Sequence, residues 1–560
     1  MSRYACAPLR WSAQTRVILT VLLLLAGSRP IVAQDDHAGH GPGDGTFGTV
    51  HFEISCSPAS QQAFDRALAM LHSFFYPETE KAFRVVADRE PSCAMAYWGI
   101  AISQRPNPLT APFPPELLKK GLEAIEQARA ASQATPRERD WIEALAPFFL
   151  SSDTVAQSTR SMRYEAAMAR LHERYPADSE AAVFYALSLL EAVDLTDKTY
   201  AKQLKAAGIL EGLHAAHPDH PGIVHYIIHS YDYAPIAEKG LPAARGYASL
   251  ASSAPHALHM PSHIFSVLGM WPEAIRANLA ADAANRAYAE RTNPGAATNL
   301  AAVAARYHPL DFLTNAYLQL GQDRAAKAIL DERNSISTLP ASASITAHTA
   351  FAAIAVRYAI ERGAWADAAA LPPLSTNYKP AEAIIWLGRA LGAARSGNPS
   401  RGNQDLTQLS RLRQELASAG DPYWAEQVGI EETAAAAWIA LGSGKSTQAI
   451  ALMRQAADRE DHTEKHVAME NRLSPMRELL GELLLQAHKP GAALREFERS
   501  LQVVPRRFRS LAGAAQAAVR SGNRRLAVSY YQQLLRLAET ADGDRPQLAA
   551  ARTFLRASAR

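Results

Sequence analysis

LGELLLQAHKPGAALREFERSLQVVP, residues 480–505, is echoed by AAQAAVRSGNRRLAVSYYQQL, residues 514–534. Ala493, Phe497 and Ser500 recur as Ala527, Tyr531 and Leu534, and Leu480-Gly481 recurs as Ala514-Ala515, each 34 residues on. Such a register puts small residues where the two helices of a pair must approach and a bulky one where the second helix meets its neighbour. The template extends backwards through Gly444 with Ala449, Gly321 with Ala326, Gly269 with Ala274 and Phe83 with Pro91. Carried along the chain it gives about a dozen helical hairpins, stacked as an all-α, right-handed superhelix. Hydrophobic residues make up 48% of the 560, alanine and leucine are abundant, and hairpin signals for strands are scarce. A chain of this length would otherwise need about three or four separate cores.

Residues 1–33 read as an export signal. Arg3, Arg10 and Arg16 precede an apolar run from Val17 to Ala26, then Gly27, Ser28, the Pro30 break and a cleavage point after Ile31-Val32-Ala33. About ten apolar residues are too few to cross a bilayer core, and Ser28 stands where a lipidated cysteine would have to be. The expected location is periplasmic or secreted, with no membrane span in the mature chain. Without the leader's four arginines, 54 basic residues face 55 acidic ones, a balance of −1 that gives no field for nucleic acid or an anionic membrane. Cys56 and Cys93 remain; in an exported chain they are expected to form a disulfide between the segment before the first helix and the start of the third. Residues 34–50, QDDHAGHGPGDGTFGTV, read as a flexible His/Gly-rich tail. Cleavage after Gln34 would place His37 third from a free amine, an arrangement suited to square-planar copper or nickel.

Helical pairing is continuous from Gln61. Residues 105–115, RPNPLTAPFPP, cannot be helical and should form an ordered loop against the repeats or over their groove. A helix reopens at Thr135-Pro136-Arg137-Glu138, with Thr135 as cap and Glu138 completing a capping box. The serine-rich stretch from Asn334 to Ser344, interrupted by Pro340, is the candidate hinge. It divides the mature chain into an N-terminal solenoid, 51–335, and a C-terminal one, 336–560.

The chemistry concentrates between His220 and Trp271. Six of the eighteen histidines lie there: His220, His225, His229, His256, His259 and His263. An even spread would put fewer than two in 52 residues. A single helical histidine ordinarily caps, or bonds a carbonyl; a cluster asks for another reason. Residues four apart share a helix face, so His225 with His229, and His259 with His263, each aim two imidazoles one way. First helices of successive pairs lie side by side, about 10 Å apart, which brings His308 and Asp311 of the next pair to the same cavity. The expected metal ligands are His225, His229, His259 and His263; Tyr226, Tyr231, Asp232, His256, His308 and Asp311 are expected around them, with Tyr233 nearby. Zinc, copper and iron all suit imidazole, and the ion is left open. Glu464 and His466, within Asp461-His462-Thr463-Glu464-Lys465-His466, are further groove candidates.

Catalytic motifs are missing. His172-Glu173 has no second histidine four positions after the first, and Gly442-Ser443-Gly444-Lys445-Ser446-Thr447 has Ile439 where a phosphate-binding loop requires glycine, so it reads as an inter-helix turn.

The 34-residue register resembles the tetratricopeptide-repeat (TPR) superfamily. HFEISCSPASQQAFDRALAMLHSFFY (51–76), AMAYWGIAIS (94–103), TPRERDWIEAL (135–145), HYIIHSYD (225–232), APHALHMPSHIF (254–265) with Gly269-Met270-Trp271, the run from Asp311 to Gly321, TEKH (463–466) and RELLGELLL (477–485) resemble a largely uncharacterised group of exported bacterial TPR proteins. The resemblance implies an exported, all-helical TPR solenoid with no established activity, whose generic role is to hold a peptide or protein in its concave groove; the first reading is a non-catalytic scaffold binding a peptide, protein or small ligand there. The alternative is a metal-binding protein or metal-dependent enzyme built on the histidine cluster.

Overall fold

The computed structural model describes residues 45–558, apart from 111, 293, 295–302, 470 and 471. The expected leader, and the tail as far as Asp44, lie outside the described residues. From Gly45 onward the chain forms one unit of contacts. It is an all-α solenoid of about a dozen consecutive helical hairpins, from Pro58–His72 with Tyr76–Arg89 to Phe508–Arg520 with Arg524–Leu537, closed by Pro546–Ser558.

The 34-residue register is visible in burial. Pro490–Val503 buries only Ala493, Phe497 and Ser500, and Arg524–Leu537 only Ala527, Tyr531 and Leu534. A side chain at Gly481 or Gly513 would lie 2.9 or 2.3 Å from the Phe497 ring, so the aromatic knob of one hairpin needs a bare backbone on both facing helices. Gly444 takes φ +78° between the helices Pro422–Gly442 and Ser446–Asp461, which makes the Gly-Ser-Gly-Lys run a left-handed helix stop. The Thr135 capping box forms as read, and Cys56 is bonded to Cys93. Among the described residues no helix is long and apolar enough to cross a membrane.

Three expectations change. Residues 45–50, read as the end of a flexible tail, are packed: Phe47 and Val50 are buried, and Thr49 donates to the Asp219 carbonyl. The boundary at 335/336 does not coincide with the change of core. Tyr307, Leu310 and Leu313 belong to the second hydrophobic cluster and Ala316 and Leu320 to the first, so the two meet on Tyr307–Gln319. Leu339 and Ala343 of the serine-rich stretch lie inside the second cluster.

The third change decides where function can reside. First helices were expected to line an open groove, yet all eleven residues of Pro221–Tyr231 are buried. Later hairpins fold back against the middle of the chain. Trp271 Nε1 donates to the Arg506 carbonyl at 2.9 Å, the Phe508 amide donates to Gln319 Oε1 at 2.9 Å, and Arg545 pairs with Asp323. Residues 463–466 enter from the C-terminal half: the Glu464 amide donates to the Leu195 carbonyl, and Lys465 Nζ reaches Asp232 at 3.0 Å. These later segments cover parts of the middle of the chain.

Candidate metal centre

Five helices carry the centre: α1 (Pro58–His72), α2 (Pro221–Tyr231), α3 (Pro255–His259), α4 (Pro261–Val267) and α5 (Tyr307–Gln319). His259 and His263 were expected on one helix. Pro261 lacks the amide that would continue it, so the segment is two short helices, although Met260 keeps helical angles and the spacing survives.

The four expected ligands do not form one set. They divide between two triads, His225 with His229 and His256, and His259 with His263 and His308; within each, one potential ligand atom per residue lies within 4.8 Å of the others. His225 Nε2 is 3.2 Å from His256 Nε2, and His259 Nε2 is 3.0 Å from His263 Nε2. Two imidazole nitrogens bound to one tetrahedral ion at about 2.0–2.1 Å would lie about 3.3 Å apart. The triads adjoin, with ring centroids 5.8 Å apart for His229 and His263 and 6.1 Å for His256 and His259. One phenylalanine caps each. Phe74 lies 4.5, 6.0 and 5.3 Å from His225, His229 and His256; Phe312 lies 4.7, 5.1 and 5.2 Å from His259, His263 and His308.

Outer contacts fix the tautomers. His225 Nδ1 donates to the His72 carbonyl at 2.7 Å and His263 Nδ1 to Asp232 Oδ2 at 2.9 Å. His259 Nδ1 donates at 2.6 Å to Asn278 Oδ1, whose assignment is set by Asn278 Nδ2 donating to the Ala274 carbonyl at 2.8 Å. With the ring protons used on the far side, His259 and His263 present their Nε2 lone pairs to each other at 3.0 Å. Two lone pairs at that distance require a shared proton or a shared cation. His229 Nε2 is buried with no hydrogen-bond partner among the described residues.

On His259, burial opposes the proton, with His308 and His263 adding to it. Burial lowers His225 to about 3, and His229, His256 and His259 well below the ordinary imidazole range, with neighbouring histidines adding to each. Burial followed by His263 takes His308 to about 3. Burial alone would raise the Asp232 carboxyl, but Lys465 and His263 hold it at about 2. Asp232 is thus an ionised orienter of His263, itself tied to Lys465.

A third group, His72 with Glu180 and His220, is satisfied from within. Glu180 takes His72 Nε2 at 3.0 Å and His220 Nε2 at 2.7 Å; His72 Nδ1 meets the Tyr226 hydroxyl, and His220 Nδ1 caps α2 through the Ile223 amide. These nitrogens have partners already, so the group is structural.

Several expected site residues lie elsewhere. Asp311, one turn from His308, faces away and makes a two-pronged pair with Arg357 at 3.0 and 3.1 Å. Tyr231 donates to Glu211; Tyr226 does stay beside the first triad, its ring 5.2 Å from that of His225, and spends its hydroxyl on His72. Glu464 takes Lys198 and the Tyr200 hydroxyl, and His466 packs on Tyr423 and Trp424. Lys465, passed over in favour of its neighbours, is the member of that run that reaches the centre. Phe74, Phe312 and Asn278 were also missed; each is an unremarked helix or turn residue in sequence.

Beyond Lys465 the chain encloses a cavity of about 50 Å³ lined by Glu431, Glu460, His466 and Arg472. Glu431 Oε2 has no partner among the described residues, and burial, with Glu460 adding, pushes its carboxyl up to about 8. The unfolded chain therefore gives up this proton first. Any stability from Glu431 is complete below the unfolded value near 4.5 and is lost as pH rises through 8, with a ceiling of about 5 kcal/mol. Glu431→Gln should leave the melting temperature unchanged at pH 4.5 and raise it above the parent's at pH 8, as read by paired thermal melts.

No protein-family model and no curated protein matches the chain. Among solved structures, that of Naa15/Naa10 bound to HypK-THB is 12% identical, covering 89% of this chain and 91% of that one, with a TM-score of 0.24. The human IFIT1 dimer with PPP-AAAA is 13% identical, covering 84% of this chain and 89% of that one, with a TM-score of 0.36. Neither likeness bears on the histidine centre.

Proposed function

We propose that this chain is an exported, metal-binding TPR-like protein whose enclosed interior holds two transition-metal ions, one on each histidine triad. The observation that carries the reading is the facing pair His259 Nε2 and His263 Nε2, 3.0 Å apart, with their ring protons directed to Asn278 and Asp232. The orphaned His229 Nε2 supports the same reading of the other triad. Binding a peptide or protein along an open groove has less support, because the helix Pro221–Tyr231, expected to line it, is buried along its whole length. The Cys56–Cys93 bond and the signal-like leader support an extracytoplasmic location.

Protein produced without an affinity tag should carry two equivalents of transition metal per chain by elemental analysis. His229→Ala and His263→Ala should each lose one equivalent, and the double variant both. Metal below one equivalent in replete protein, or undiminished metal in the double variant, overturns the proposal.

A further inference from the structure

We infer that the two triads are halves of one dinuclear copper centre that takes up dioxygen between its ions; this rests on the metal-binding reading above. Three features select copper. All six inward donors are imidazoles, and the nearest carboxylate, Asp232, is held by His263 Nδ1 and Lys465 instead of facing the ions. Two divalent ions on six neutral ligands would place four positive charges in a buried space with no anionic ligand, at a large desolvation cost. Cuprous copper halves that charge and is content with three ligands, whereas zinc takes a fourth.

Dioxygen then fits the charge balance. Each cuprous ion gives up one electron and dioxygen accepts both, so two Cu(I) and O₂ become two Cu(II) and a bound peroxide. The O–O bond is retained, no proton moves, and the centre's net charge is plus two before and after. The surroundings favour a small apolar guest. The Phe74 and Phe312 rings cover the triads, and Tyr247 stacks on His225 with centroids 5.2 Å apart. Adjacency allows the bridge: the His229 and His263 rings, one from each triad, meet edge to face with centroids 5.8 Å apart. A phenylalanine at φ +51°, as Phe74 is, is an unusual backbone for a non-glycine residue, and it puts that ring on the first triad.

The test uses the full chain, stripped with chelator, loaded anaerobically with Cu(I) under ascorbate, freed of excess reductant and then exposed to air. Expected are two coppers per chain, uptake of one O₂ per pair, a near-ultraviolet charge-transfer band that fades on deoxygenation, and an electron paramagnetic resonance spectrum silenced by coupling between the bridged Cu(II) ions. His256→Gln and His308→Gln, at the less buried member of each triad, should each retain one copper, lose the band and show an ordinary mononuclear Cu(II) signal. Circular dichroism of the metal-free variants checks that they fold. Two bound coppers giving a full mononuclear signal and no oxygen-dependent band would overturn the dinuclear inference while leaving metal binding intact. Failure to bind copper or any other transition metal stoichiometrically would overturn both.

Discussion

Glu478→Ala should loosen the closure of the solenoid and cost about 3–5 kcal/mol, the range for removing one partner of a buried ion pair. Glu478 is wholly buried on the helix Met476–Gln486. Its Oε2 accepts from Arg507 Nε at 2.8 Å and from the Ser510 hydroxyl at 2.6 Å, and its Oε1 accepts from Arg507 Nη2 at 2.9 Å. Arg507 also binds Glu361, which lies 146 residues away in sequence. Glu478 therefore ties the last full hairpin to its neighbour, and the shared Arg507 carries the link on to Glu361 in the middle of the chain. Loss of Glu478 leaves the Arg507 guanidinium in a dry site with part of its charge uncompensated. Hydrogen exchange should rise across residues 505–537 in Glu478→Ala, with a lower melting temperature. Replacing Glu478 and Arg507 together by leucine should cost more than Glu478→Ala alone, because the buried Glu361 then loses its Arg507 partner.

What the sequence makes legible follows from how locally each feature is determined. The hairpin register is local: Phe497 demands Gly481 and Gly513, and a 34-residue spacing of small and bulky residues records that demand directly. The imidazole pairs are local too, since four residues make about one helical turn. Their partition is not. His256 joins His225 across 31 residues, and His308 joins His259 because α5 packs beside α3 and α4. Asp311 was read as a neighbour of the cluster on spacing alone, but Arg357, 46 residues on, turns it the other way. Lys465 and Asp232 are 233 residues apart, and nothing in either neighbourhood announces the pairing. An open groove was the natural reading of repeated hairpins. Its closure depends on long-range ion pairs such as Arg545–Asp323, which periodicity does not encode.

Loading the metal-free protein with copper should stabilise it more than any single substitution weakens it. A ligand that binds only the folded state adds about 4 kcal/mol per site when free ligand is a thousand times its dissociation constant, hence about 8 kcal/mol for two independent sites. Thermal melts with and without chelator would read it. The ligands come from α2 to α5, and α5 is the helix on which the two hydrophobic clusters meet, so the ions add a further tie between the two clusters. Asn278→Ala separates this effect from general stabilisation. Asn278 touches no ion position; it accepts the His259 Nδ1 proton from outside and so keeps the opposite nitrogen bare. Loss of such an orienting contact ordinarily weakens a metal about 10- to 100-fold. The variant should show that weakening at the His259, His263, His308 triad, leave the His225, His229, His256 triad at parental affinity, and show about half of the parental metal-dependent rise in melting at limiting copper. Equal weakening of both triads would mean that Asn278 acts on the fold, and the orienting role would be withdrawn.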